Sequence, residues 1–297
     1  MRKAFKNIIR FLLISGLAYC CLILPALAQV EADLTAAIER TKAAGVSDKI
    51  VNHLLVLGYK HNIQAKEMAG LVNTIAQAAE EKLPAAPLAD KIEEGLAKRI
   101  RPEVIQRVLD KELSQYRFTR QVLIKALNRW GKPITELKPG TLTRLGQTLS
   151  AGITKQELEG FLARTPKAPM HEILNAAEFM AALKQSELRG IVAEDIVLTG
   201  LKNNFFSNPD WILVRMTVVA KRKGISDKDI RTAAMRVVKG SETVQEAARS
   251  LGLSMNGMRY GPVVRGGGTK TGGGISGGTG GSGGHGSGLG GGEGGRR

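Results

Sequence analysis

One local pattern recurs along this chain and restricts the folds open to it. A small or basic residue is followed by an aliphatic one, then by a polar cap and a new apolar stripe. Gly45-Val46-Ser47-Asp48 leads into Ile50, Val51, Leu54 and Leu55. Gly152-Ile153-Thr154 leads into Leu158, Phe161 and Leu162. Gly190-Ile191-Val192 leads into Ile196, Val197 and Leu201, and Gly224-Ile225-Ser226-Asp227 into Ile230, Ala233 and Val237. Asn62-Ile63-Gln64 and Arg99-Ile100-Arg101 are weaker copies. Glycine or asparagine tolerates the left-handed conformation that closes a helix. The aliphatic residue packs back across the corner, and Ser47, Thr154 or Ser226 accepts the free N–H groups of the next helix. Each copy therefore reads as a tight joint between two helices.

The segments between joints carry helical periodicity. Ala, Leu, Lys, Glu and Gln dominate, and these residues favour helix. In Arg101–Leu113 the residues Val104, Ile105, Val108, Leu109 and Leu113 form one stripe, with Glu103, Gln106, Arg107 and Lys111 off it. Pro102 falls in the first turn, where its missing N–H costs nothing. Trp211–Ala220 is β-branched in places, yet Asn208-Pro209-Asp210 before it marks a helix start. The expected class is all-α, built of stacked short helical hairpins. Joints at 99, 152, 190 and 224 are 53, 38 and 34 residues apart. Two of these spacings suit one helix pair per unit and one does not. An irregular bundle and a solenoid-like array both remain open.

Boundaries follow from composition. Residues 29–131 form one helical region, 132–140 a joint containing Lys132-Pro133 and Lys138-Pro139, and 141–260 a second helical region. Residues 261–297 form a tail. From Gly266 onward 19 of its 32 residues are glycine. Such a segment has almost no apolar surface to bury, so a disordered tether is expected.

The first 28 residues read as a secretory signal. Arg2, Lys3, Lys6 and Arg10 precede an apolar run from Phe11 to Leu24, Pro25 ends it, and Ala26-Leu27-Ala28 follows. Cleavage after Ala28 would leave Gln29 as the first residue. A membrane anchor needs about 20 apolar residues, and Phe11–Ala28 falls short and contains Pro25. A lipoprotein signal ending at Cys20 would place Tyr19 where a small residue belongs. Export to a bacterial periplasm is the expected address, with the cell envelope or the medium as alternatives. Both cysteines, Cys20 and Cys21, lie inside the signal. The remaining chain can form no disulfide, thiolate metal site or cysteine nucleophile. Losing the signal lowers the net charge from +16 to +12. That balance suits acidic partners, such as an anionic surface or polymer. The longest basic run, Lys221-Arg222-Lys223, is the one anion-binding candidate.

Motifs that carry chemistry are scarce. His171-Glu172-Ile173-Leu174-Asn175 approaches the zinc-protease pattern, but asparagine replaces the second histidine. His53 and His61 are separated by Gly58, so they need not share a face. Glu80-Glu81 and Glu93-Glu94 are adjacent and point about 100° apart on a helix. No Gly-x-Ser-x-Gly elbow occurs in the body, and no strand precedes a phosphate-cradling loop. Val244–Ser254 resembles a helix-turn-helix, but Met255–Tyr260 is too short and contains Gly257. No catalytic residue, cofactor site or metal site is expected, and DNA is not an expected partner. The expectation is a non-enzymatic envelope protein acting as an interaction or scaffold module. A polyanion binder and a cell-wall enzyme are the alternatives.

Overall fold

A computed structural model describes residues 31–254, Pro166 excepted. The signal residues Ala26, Ala28 and Gln29, the segment after Ser254 and the tail lie outside the described residues. Among the described residues there are twelve α-helices and no strand. They are α1 (31–43), α2 (Asp48–Lys60), α3 (Ala65–Glu80), α4 (Ala86–Ala97), α5 (Pro102–Arg129) and α6 (Pro139–Ser150). Next come α7 (Lys155–Arg164), α8 (Met170–Gln185), α9 (Gly190–Lys202), α10 (Ile212–Arg222), α11 (Asp227–Val238) and α12 (Val244–Ser250). Short 3-10 turns lie at Ile134–Glu136 and Phe205–Ser207.

The joints have one shared construction. Residues 45, 62, 82, 99, 131, 152, 204, 224, 240 and 252 take positive φ, as does Glu187. In most of them the next residue is aliphatic and donates its N–H back to the closing turn. Ile63 donates to Gly58 O, Leu83 to Ala78 O, Ile100 to Gly95 O, Ile153 to Thr148 O, Ile225 to Ala220 O and Leu253 to Ala248 O, all at 2.8–3.1 Å. This is the six-to-one closure of a Schellman motif, with its hydrophobic contact across the corner. The new helix is then capped. Thr154 Oγ1 accepts from Glu157 N at 3.1 Å, and Glu157 Oε2 accepts from Thr154 N at 2.8 Å. Ser226 Oγ accepts from Asp229 N at 3.2 Å. Ser47 takes the cap position without a capping bond from its side chain.

Two sequence readings need correction. The joint placed at Gly190 lies three residues earlier, at Glu187 with φ 64°. Gly190 is the first residue of α9, and Ile191 is 70% exposed. Glycine is there for space: a Cβ would lie 2.7 Å from Glu157 Oε1. In α5 the buried stripe is Ile105, Leu109 and Leu113, while Val108 is 42% exposed.

The helices stack in order. Substantial packing joins only elements adjacent or next-but-one along the chain. Side-chain bonds between stacked helices link residues 30 to 40 apart. A helix pair is therefore the repeating unit, as in quasi-one-dimensional arrays. In a first array, Arg40 Nε bonds Glu80, Gln106 Nε2 bonds Thr74 Oγ1 and Arg117 Nε bonds Glu81, each at 2.7 Å. The α3 and α5 partners advance together, so α3 and the first half of α5 run parallel. His53 Nε2 lies 3.3 Å from Glu93, which sets α2 beside α4.

In a second array, Lys125–Glu159 at 3.1 Å and Trp130 Nε1 to Thr165 O at 3.3 Å join the second half of α5 to α7. Arg164 pairs with Glu194 between α7 and α9, and Arg231 with Asp195 between α11 and α9 at 2.9 Å. Arg144–Glu178 at 2.6 Å sets α6 beside α8. One hydrophobic core runs from Ala37 to Leu253 through both arrays.

Helix α5 is the spine that joins them. Leu113-Ser-Gln-Tyr-Arg-Phe-Thr119 holds no Gly, Pro or Asn, so the helix runs on where the period calls for a joint. That missing joint accounts for the spacing of 53 residues between positions 99 and 152. The stacking partner of α5 changes from α3 to α7 between Arg117 and Lys125, and the 132–140 segment is a hairpin connection inside the second array.

Candidate functional site

Two helices lie antiparallel on α5 and approach each other over its middle. Gly95 of α4 faces Ile105, and Gly146 of α6 faces Tyr116. Both glycines allow close approach. An added Cβ would come within 2.7 Å of Ile105 Cδ1 or 2.5 Å of Tyr116 Cε1. The start of α4 and the end of α6 do not close on each other, and a cleft of about 200 Å³ remains between them. Gln115, Tyr116 and Glu112 of α5 line it together with Lys91 of α4, Gln147 and Ser150 of α6 and Gln185 of α8.

The chemistry of the cleft is polar and largely neutral. Gln115 is only 8% exposed, and its Oε1 accepts from Ser150 Oγ at 3.1 Å. Gln185 Nε2 donates to Ala151 O at 3.2 Å. Burial pushes the Tyr116 hydroxyl above its usual range, with Glu112 and Asp90 adding to the effect. Tyr116 is therefore a neutral donor. Burial also raises the Glu112 carboxyl, against the pull of Lys91. Lys91 Nζ is committed to Glu94 at 2.7 Å. Amide, hydroxyl and protonatable carboxyl groups in one small cleft can hydrogen-bond a polar segment in both senses, as donors and acceptors.

The residues singled out from sequence take other places. Lys221 Nζ bonds Asp227 at 2.9 Å, an oxygen pair that Arg189 shares at 2.8 Å, while Arg222 and Lys223 are exposed at the end of α10. Three of the adjacent glutamates go to stacked neighbours, Glu80 to Arg40, Glu81 to Arg117 and Glu93 to His53, and are rungs between repeats, while Glu94 pairs with Lys91 and Lys98 along its own helix.

Asn175, at the missing ligand position of the zinc-like pattern, donates to Phe206 O at 2.9 Å and accepts from Arg144 at 2.9 Å. Glu172 accepts from Ser207 at 2.8 Å. Among the described residues no group of three or more His, Cys, Asp or Glu could hold a metal ion, and no helix is long and apolar enough to cross a membrane. The first helix of the helix-turn-helix look-alike is α12, which ends in one more joint with Leu253 buried. Its second helix falls outside the described residues.

Sequence reasoning missed the cleft because its walls come from four helices and share no local motif. The one available signal was the long α5 stretch without a breaker, with Gln115 and Glu112 beside its apolar stripe. Comparison with protein-family models, with curated proteins and with solved structures finds no match for this chain.

Proposed function

We propose that this protein is a non-enzymatic interaction module of the bacterial envelope, exported to the periplasm, that seats a polar segment of a partner protein in the cleft over α5. The observation that carries this reading is the junction itself. A stacked helical array offers long, rigid faces, and here the stack is interrupted so that neutral amides and hydroxyls line an open cleft. Gln115, Gln147 and Gln185 suit the alternating N–H and C=O groups of an extended peptide. Rigid helices on all sides hold these groups in place before binding, which lowers the ordering cost of association.

Site-specific photocrosslinking in intact cells tests it. A crosslinker replacing Gln147 is expected to give one discrete adduct, lost when Gln185→Ala is added. The same crosslinker at the exposed Lys228 on α11 is expected not to give that adduct. An identical adduct pattern from both positions would sink the reading.

A second reading starts from Glu112, whose raised carboxyl suits a general acid. Glycan cleavage by two carboxylates needs a second one facing the first. Among the described residues lining the cleft, Glu112 is the one carboxylate, which favours binding over hydrolysis.

A further inference from the structure

A second concavity lies at the edge of the first array, away from the cleft. It has a volume of about 500 Å³ and sits between the α2–α3 joint and the α4–α5 joint. Lys60, His61 and Asn62 line one side, and Arg99 and Arg101 line the other. No acidic residue lines it. Cations elsewhere in the arrays are commonly spent on rungs, as Arg40, Arg117, Arg144 and Arg189 are. Neighbouring Lys98 is likewise spent on Glu94. Lys60, His61, Arg99 and Arg101 make no ion pair with the described residues.

Arg99 holds φ 55°, as Asn62, Lys82, Glu187 and Asn204 do at other joints, so the turn that closes α4 also sets where this side chain stands. The start of α5 adds to the positive field. Arg101 is its N-cap without a side-chain cap bond, and Pro102 follows. The N-terminal end of a helix carries partial positive charge. Glu103, in the first turn of α5, is the nearest carboxylate in sequence and does not line the groove.

We propose that this groove binds a ligand or surface that presents two or more phosphate groups side by side. Arginine forks match phosphate oxygens in pairs. Three fixed positive charges and a histidine around one groove exceed what a single monoanion neutralises. The volume also exceeds the needs of one phosphate. A soluble phosphate polymer and an anionic phospholipid surface both present this chemistry.

The test titrates the full mature chain with tripolyphosphate, with orthophosphate, and with vesicles of phosphatidylglycerol or phosphatidylcholine. Tripolyphosphate or phosphatidylglycerol is expected to bind, and the arm that binds identifies the source. Arg99→Gly and Arg101→Ala are each expected to weaken binding about tenfold, the scale of one lost charged hydrogen bond. Arg99→Gly should leave the thermal midpoint unchanged or raised, because glycine relieves the backbone. The double variant Arg222→Ala/Lys223→Ala removes two charges elsewhere and should bind as the parent does. The proposal is overturned if neither anionic probe binds, if orthophosphate binds as tightly as tripolyphosphate, or if the double variant loses as much affinity as Arg99→Gly.

Discussion

Replacing Gly146 by alanine probes the packing on which the cleft depends. Its Cβ would lie 2.5 Å from Tyr116 Cε1 and 2.7 Å from Cδ1. Comfortable carbon contacts begin near ~3.5 Å, so the ring must retreat by about 1 Å. Tyr116 is 3% exposed and rides on the spine helix, so the ring cannot swing freely into solvent. Overpacking of this kind costs about 1–3 kcal/mol. Alanine also raises helix propensity, by up to about 1 kcal/mol over glycine, and that gain must be separated from the clash. Gly140 supplies the control. It lies in the same helix, and nothing stands within 4 Å of an added Cβ. The two variants should therefore differ by about 1–3 kcal/mol, with Gly146→Ala the less stable. At about 2–4 °C per kcal/mol for a body of this size, their thermal midpoints should separate by about 2–12 °C. Circular dichroism melts of the two proteins measure it. A Gly146→Ala protein that melts with or above Gly140→Ala would refute the close approach of α6 to α5, and with it the geometry of the cleft.

Two further predictions concern charge and hydrogen bonding. Lys91 and Lys98 hold the Glu94 carboxyl at about 2, below its ordinary 4.5. The stability it contributes is present above 4.5 and is lost as pH falls towards 2, so Glu94→Gln should differ from the parent at pH 7 and converge with it in acid. Glu112 behaves in the opposite sense. Burial raises its carboxyl above 4.5, so its ionisation destabilises the fold as pH rises, and Glu112→Gln should gain on the parent between pH 4 and 7. Urea unfolding at a series of pH values reads both, and parallel pH profiles would contradict the assignments. Asn175→Ala removes one bond to Phe206 O and one from Arg144. Leaving the Phe206 carbonyl without this donor should cost about 1–3 kcal/mol, and a neutral effect in the same unfolding assay would contradict the Asn175 bridge.

The local architecture was legible in the sequence because it rests on interactions within a few residues. The helical class follows from periodicity and composition. The joints at 45, 62, 99, 152 and 224 follow because a left-handed residue, an aliphatic one and a cap complete a motif six residues long. The joint at Glu187 escaped notice because a glutamate occupies its left-handed position and a nearby glycine, Gly190, serves close packing instead.

Tertiary structure decided everything that depends on register between helices. Glu80 and Glu81 read only as adjacent carboxylates that diverge on a helix until stacking sends them to Arg40 and Arg117. Lys221 reads as a free cation until α11 brings Asp227 beside it. No local signal sets these partnerships, because each depends on the rotation and stagger with which one apolar stripe seats on another. The recurring joint fixes where the chain turns and so determines a stack of helices. Where the turn is missing, inside α5, only packing decides which helices the spine receives on each half. The cleft exists because α4 and α6 each cover their own half and stop short of meeting.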